Sequence, residues 1–319
     1  MNEPADHALE APLLLRSELL AEGHSDRDLA RLVRSGVLRR VRRGAYVEST
    51  VWEAADPDQR HVLRARAVAR QAKTRLVISH VSALPVFGAP TWGVSLDDVH
   101  VTRPDGRCGR KERGVRQHRG TLLDTDVTVR KGLELTTATK TVLDVTTCSG
   151  TEASLIVVNY LLRRGLTTLH DLRERYVLME HDPFTLKTDL VLRLADPRPE
   201  SVGEIRTFFM LYRAGVPAPV PQYEVRDENA HVVARLDFAW PERGVYLEFD
   251  GRTKYVKHLR AGETVVDAVL REKERESRIY ELTGWRCIRI TWADLECPAA
   301  TVGRILAALG VTPRVPSFT

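Results

Sequence analysis

The chain has 319 residues, 43% hydrophobic and 29% charged, which is enough for two or three cores and too much for one small module. No apolar run approaches the ~20 residues of a membrane span, and the N-terminus MNEPADHALEAP carries acids and a proline where a secretory leader would be basic and then apolar. Four cysteines (Cys108, Cys148, Cys287, Cys297) stand far apart with no C-x-x-C pair, so neither a zinc ribbon nor a disulfide framework is indicated and a reducing cytoplasm is expected.

Net charge is only +5, but it is concentrated. Between Ser25 and Gly44 seven arginines (Arg27, Arg31, Arg34, Arg39, Arg40, Arg42, Arg43) face Asp26 and Asp28, and seven basic residues between Arg103 and Arg119 face Asp105 and Glu112. The first stretch has a motif beneath it. Leu13 to Ala21 reads as a short helix with Leu15, Leu19 and Leu20 on its apolar side, stopped by Glu22-Gly23. Ser25 then caps a second helix with Asp26 and Asp28 in its first turn and Leu29, Leu32 and Val33 as its stripe, ended by Ser35-Gly36. RRVRRGAYV (39–47), with Gly44 at its turn, makes an arginine-studded pair of strands. Helix, turn, helix and basic hairpin spell a winged helix. Arg27, Arg31 and Arg34 point away from the stripe toward a duplex groove, and Arg39, Arg40, Arg42 and Arg43 lie on a wing suited to the phosphate backbone. The bland alternative is a helical hairpin with solvated arginines.

LLLRSELLAEGHSDRDLARLVRSGVLRRVRRGAYV resembles the N-terminal domain of AbiEi-type antitoxins, transcriptional autorepressors of abortive-infection toxin–antitoxin pairs. The likeness extends weakly through ISHVSALPVFGAP, as a helix and loop, and LELTTATKTVLDVTT, as a short strand leading into a helix. It implies DNA binding more firmly than toxin neutralisation.

From Trp52 to Ala195 the pattern alternates helices (Arg60–Ala72, Glu152–Leu162, Thr185–Ala195) with short strands (Asp98–Thr102, Val127–Val129), an α/β region. His80, His100 and His118 are isolated from one another and from acids at ligand spacing, so each reads as structural or surface. The basic loop Arg103–Arg119 either extends a DNA surface or is a solvated face. Asp196–Ser201, with two prolines, is the linker.

Beyond it, Glu204 opens a helix ended by Gly215-Val216-Pro217. Strands follow at Tyr223–Arg226, His231–Phe238 and Val245–Asp250, then a helix from Val265 to Thr283 and a strand at Trp285–Thr291. The order αβββαβ is the core order of the PD-(D/E)XK nuclease fold. Alternation puts Val245, Leu247 and Phe249 on one face of the third strand and Tyr246, Glu248 and Asp250 on the other, while Leu236 and Phe238 share a face opposite Asp237. Asp237 beside Glu248 would form a hard oxygen site for Mg²⁺ or Mn²⁺, able to polarise a phosphodiester and activate water. Val266, Val269, Lys273, Glu276 and Tyr280 trace one helix face, with Lys273 in the middle of a stripe facing the sheet, or else snorkelling. Ser201 and Glu204 also fit a capping box, and Asp237 and Glu248 equally fit strand-end acids bound to Arg235 or Arg278.

DFAWP (237–241), LEFDGRTKY (247–255), EKERE (272–276) and GWRCIRITWADL (284–295) resemble the very-short-patch-repair-like endonuclease domain found in actinobacterial proteins. That resemblance implies Asp237 as the motif aspartate, Glu248 as the second acid and Glu204 as the helix acid. It departs at Asp250, which stands where the motif lysine belongs, leaving Lys254 or, preferred here, Lys273 to supply the catalytic cation.

The sequence thus predicts an α/β multidomain chain: a winged helix (1–50), an α/β middle domain (51–196) and a restriction-endonuclease-like αβββαβ domain (197–319). The leading expectation is a Mg²⁺- or Mn²⁺-dependent DNA endonuclease targeted by its own DNA-binding domain. The rival is an antitoxin-type repressor whose nuclease-like domain is non-catalytic. Expected partners are double-stranded DNA, a cognate toxin and a second copy of the chain, and a membrane is not expected.

Overall fold

The computed structural model describes residues 6–105, 113–181, 184–251 and 264–311, and the chain divides into two units, Met1–Ala195 and Asp196–Thr319. Lys254, Cys108 and the centre of the basic stretch Arg103–Arg119 lie outside the described residues. Among the described residues no helix is long and apolar enough to cross a membrane.

The first unit opens with α1 (Asp6–Glu10), β1 (Leu14–Leu15), α2 (Arg16–Ala21), α3 (Asp26–Arg34), β2 (Leu38–Arg42) and β3 (Ala45–Glu48). The helix expected over Leu13–Ala21 is shorter, because Leu14 and Leu15 pair with Tyr46 and Ala45 to complete a three-stranded sheet in the order β1-β3-β2. Ser25 caps α3 as expected, its hydroxyl accepting the Asp28 N–H at 3.2 Å while Asp28 accepts the Ser25 N–H at 3.0 Å. The β2–β3 turn passes through Gly44 at φ +77°, a left-handed conformation that glycine adopts without a Cβ penalty.

After α4 (Ser49–Ala54), α5 (Pro57–Gln71) holds this module to the rest of its unit. Arg66 donates to the carbonyls of Ala8 and Ala11 at 2.6 and 2.7 Å, Arg70 pairs with Glu18 at 2.5 Å, and Gln71 donates to the Arg43 carbonyl at 3.0 Å. The strands β4 (Val77–Ile78), β5 (Val99–Thr102), β6 (Val115–His118), β7 (Val127–Arg130) and β8 (Leu133–Thr136) form a mixed sheet ordered β6-β5-β4-β8-β7. ISHVSALPVFGAP starts in β4 and continues as two consecutive 3₁₀ turns, His80–Ala83 against α6 (Ala138–Cys148) and Pro85–Phe87 against α5, and α6 packs in turn with α7 (Thr151–Arg163), α8 (Leu169–Val177) and α9 (Leu186–Leu194).

The second unit runs α10 (Val202–Arg213), β9 (Val220–Arg226), β10 (Val232–Trp240), β11 (Val245–Phe249), α11 (Val265–Thr283), β12 (Arg286–Ile290), α12 (Trp292–Glu296) and α13 (Pro298–Leu309). Its sheet is ordered β12-β11-β10-β9, with β11 and β12 parallel and the other pairs antiparallel. Val245, Leu247 and Phe249 bury against residues of α10, α12 and α13, and Tyr246 buries on the other face with Ile279 of α11. Leu236 and Phe238 do not share a face as expected. Leu236 joins the Tyr246 cluster and Phe238 the Leu247 cluster, and the strand alternation shifts where β9 carries Gln222 at φ +52°.

A second correction concerns α11. Val266 and Tyr280 are 67% and 66% exposed and Lys273 is exposed, so these three members of the expected stripe do not face the sheet. Glu272, Arg275 and Ile279 turn inward instead, beside Glu276, the one charged member of the stripe that does. The reason is electrostatic: Glu248 and Arg289 stand on the covered face of the sheet, and half-buried charges of this kind require partners. The helix therefore rotates its charges inward and leaves apolar side chains in water.

Candidate functional site

Three constellations carry charge or chemistry. The first is the arginine surface of the N-terminal module. Leu29 is buried beneath α3 and Leu38 and Val41 beneath β2, so Arg27, Arg31, Arg34, Arg39, Arg40 and Arg43 are left exposed, and Arg42 is half-buried. Arg31 pairs with Asp28 at 2.7 Å. An exposed ion pair of this kind is worth under about 1 kcal/mol, so the guanidinium can leave it for a phosphate or a guanine edge.

The second is the acid set of the other unit. The register Phe238↔Leu247, Ala239↔Tyr246, continued by one residue, sets Asp237 opposite Glu248. Asp237 Oδ2 accepts the Phe249 N–H at 2.8 Å. Glu248 is only 8% exposed and is bound by Arg275 at 2.6 Å, not by Arg235 or Arg278, which pair with Glu224 and Glu281. Burial works against the Arg275 charge, but the hydrogen bond and charge of Glu248, with Glu272 behind it, outweigh this and raise the guanidinium above its usual value. Arg289 extends the network to Glu272 at 2.9 Å and Glu276 at 2.5 Å.

Glu204 is 4% exposed and already saturated with donors. Its oxygens accept from the Ser201 hydroxyl at 2.7 Å, the Glu200 amide at 2.8 Å and Gln222 Nε2 at 2.8 Å, while the Ser201 hydroxyl caps α10. The Asp250 amide donates to the Ile290 carbonyl at 2.8 Å. Hard divalent cations take several carboxylate oxygens with open lone pairs. This donor set does not fit one, because a guanidinium holds Glu248 and neutral donors fill Glu204. Among the described residues no three His, Cys, Asp or Glu side chains form a metal-holding group.

Glu248→Gln separates the two roles. At a bare cluster of acids, removing one charge would be neutral or stabilising. Beside Arg275 it should cost about 1–3 kcal/mol, below the full value for a buried pair because Arg275 remains partly exposed. Denaturant unfolding of the two proteins, without added metal, checks the sign.

The third constellation overturns an expectation. His80, His100 and His118 are not isolated. The rings of His80 and His118 stack at 3.5 Å, and His118 Nε2 lies 3.0 Å from His100 Nδ1. His80 Nδ1 lies 2.9 Å from the Ser79 hydroxyl and 3.6 Å from Asp144 Oδ2, an oxygen with no hydrogen-bond partner among the described residues, while Lys140 bonds the other Asp144 oxygen. His61 joins from α5, its ring nitrogens meeting the Leu96 carbonyl at 2.9 Å and the Ser82 hydroxyl at 2.7 Å. Non-local pairing is the cause. The parallel register of β5 and β6 sets Thr102 against His118 and His100 against Arg116, and the 3₁₀ turn lays His80 across them with its backbone at φ +53°. Lys140 holds one Asp144 oxygen and His118 faces His100, and among the described residues these side chains form no group able to hold a metal ion.

Burial, with Arg64 beside it, lowers His61 to about 4, and burial with Arg116 lowers His100 to about 4. His80 is depressed by burial and by Lys140, and His118 falls to about 2 through burial and its histidine neighbours. The four rings are neutral near pH 7.

Sequence reading missed Arg275, although it sits inside EKERE, because the apolar spacing pointed to a helix face about a quarter turn away. It also missed Gln222 and Gly203, for which the local sequence carries no signal. No curated protein matches the chain. A family model does match at the N-terminus, that of the transcriptional regulator, AbiEi antitoxin, over residues 5–49, the segment of α3 and the basic wing. Residues 5–49 therefore carry an AbiEi-antitoxin transcriptional-regulator domain.

Proposed function

We propose that the chain is a duplex-DNA-binding regulator of the antitoxin type, in which α3 enters the major groove and the β2–β3 wing rests on phosphates. The observation that carries this reading is the capped helix and exposed arginine surface lying within the segment that matches the antitoxin regulator family. A recognition helix needs a rigid frame to hold its side chains in register with base edges, and Ser25, Leu29 and the hairpin supply one. A cognate toxin is the protein partner this reading implies. The second unit then acts through interaction and not through hydrolysis, since Arg275 neutralises Glu248.

Arg31→Ala and Arg34→Ala should each weaken duplex binding. A lost base-edge contact would cost ~1–3 kcal/mol and change sequence preference, and a lost phosphate contact would lower affinity uniformly and reduce the salt slope by about one. Unchanged mobility-shift affinity in both variants across a salt series would contradict the reading.

The second reading, a Mg²⁺- or Mn²⁺-dependent endonuclease using Asp237, Glu248 and Glu204, draws support from the αβββαβ order and from Asp237 lying opposite Glu248. It requires Arg275 to release Glu248, and it requires a cation other than solvent-facing Lys273. Plasmid incubated with the protein and either ion should stay intact. Cleavage that disappears in Glu248→Gln would establish the nuclease instead.

A further inference from the structure

Among the described residues β12 ends the four-stranded sheet and pairs with β11 alone. Successive residues of a strand turn their main-chain groups to opposite edges. The Arg286 amide donates to the Gly244 carbonyl at 2.9 Å and the Ile290 carbonyl accepts from Asp250 at 2.8 Å, so residues 286, 288 and 290 face β11. Cys287 and Arg289 present theirs to the open edge. There Arg304 of α13 reaches the Arg289 carbonyl at 3.3 Å, while the amides of Cys287 and Arg289 and the Cys287 carbonyl have no hydrogen-bond partner among the described residues. Alongside this edge runs a groove of about 380 Å³, walled by β12 on one side and by Arg304, Ala307 and Ala308 on the other.

We propose that this groove is a docking site for an extended, acidic peptide segment of a partner protein, which adds to the sheet as a strand beside β12. A trough between an edge strand and a helix suits strand addition: main-chain bonds supply affinity, and the helix wall reads alternate side chains. Ala307 and Ala308 leave room for those side chains. The rim is cationic, with Arg286 exposed and without a partner among the described residues and Arg304 half-exposed against Asp294. The same charges argue against a second copy of this chain, because an antiparallel pairing of β12 with its own copy would gather Arg286 and Arg304 of both chains along one seam, and like charges across a strand pair are destabilising. Cations on an open edge thus refuse self-association and admit an acidic strand. The inference stands apart from the DNA-binding reading, since it involves no residue of the winged helix.

The probe is a fluorescein-labelled octapeptide alternating Glu and Val, titrated into the full chain and followed by anisotropy. Saturable binding is expected. N-methylation of one alternate set of its amides should abolish binding, while methylation of the other set should not, and the amides of Cys287 and Arg289 should gain hydrogen-exchange protection. Arg286→Glu combined with Arg304→Gln alters two solvent-facing side chains and should weaken binding about tenfold, and a peptide alternating Lys and Val should not bind. Absence of saturable binding, tolerance of both methylation patterns, or indifference to the Arg286 and Arg304 changes would overturn the proposal. So would protection of Cys287 and Arg289 in a self-associated wild type without peptide.

Discussion

Gly203→Ala should destabilise the second unit by about 3 kcal/mol or more, although alanine is the better helix former by roughly 0.5–1 kcal/mol. A Cβ at position 203 would stand 2.0 Å from Phe249 Cε1 and 2.3 Å from its Cζ, well inside any contact a carbon can make. Phe249 has nowhere to go. It is buried on β11 and meets Trp292 edge-on at a ring separation of 5.0 Å. The helix must therefore shift, and overpacking of a filled core typically costs about 1–3 kcal/mol, occasionally more. The shift would also carry Glu204 away from Gln222 and the Glu200 amide. Thermal unfolding should show the loss, and Phe249→Leu in the same chain should return part of it, a coupling expected only of touching residues. Equal stability of Gly203→Ala and the wild type would refute the close approach of α10 to β11.

Acidification from pH 7 to 5 should weaken the first unit by about 4 kcal/mol through His61 and His100 alone. In the unfolded chain these rings take up protons from the ordinary value of 6.5 downward, whereas in the folded chain they stay neutral to about 4. The unfolded state therefore binds more protons across this window, and stability falls as pH drops through it. Above 6.5 both states are neutral and nothing is lost. Each ring contributes about 1.4 kcal/mol per pH unit below its unfolded value, a large share of a domain stability of about 5–15 kcal/mol. The charges facing the cluster, Arg64, Arg116 and Lys140 against Asp144 and Asp98, oppose protonation on balance. Hydrogen-exchange protection of β4, β5 and β8 amides should record the fall, and His61→Gln should remove about half of it. Protection independent of pH between 7 and 5 would mean that the rings are not held neutral.

What the sequence disclosed follows the range of the interactions. Ser25, Leu29 and Gly44 act within a few residues of themselves, so the cap, the stripe and the turn of the N-terminal module were legible. The strand at Leu14–Leu15 was not, because its partners Ala45 and Tyr46 lie some thirty residues away. The histidine cluster was hidden for the same reason: a 3₁₀ turn, two parallel strands and α6 must assemble before His80, His100, His118 and Asp144 meet. In the second unit the element order was legible from the hydrophobic periodicities and turn residues, and the faces of Val245 to Phe249 from alternation, which fails on β10 between Leu236 and Phe238. The orientation of α11 was not legible, since an apolar periodicity was overridden by the need of Glu248 and Arg289 for Arg275, Glu272 and Glu276. Gln222 marks the limit of pattern reading, because a left-handed residue inside a strand leaves no trace in hydropathy.

The salt dependence of wild-type affinity for a short duplex reports whether the arginine surface of the N-terminal module meets phosphates. Each phosphate neutralised by an arginine contributes about 0.9 to the slope of log affinity against log salt. With Arg39, Arg40 and Arg43 exposed on the wing and Arg27, Arg31 and Arg34 on α3, a slope of about −3 or steeper is expected, with the duplex left uncut when Mg²⁺ is present. A flat salt profile, or no complex at low salt, would contradict the account.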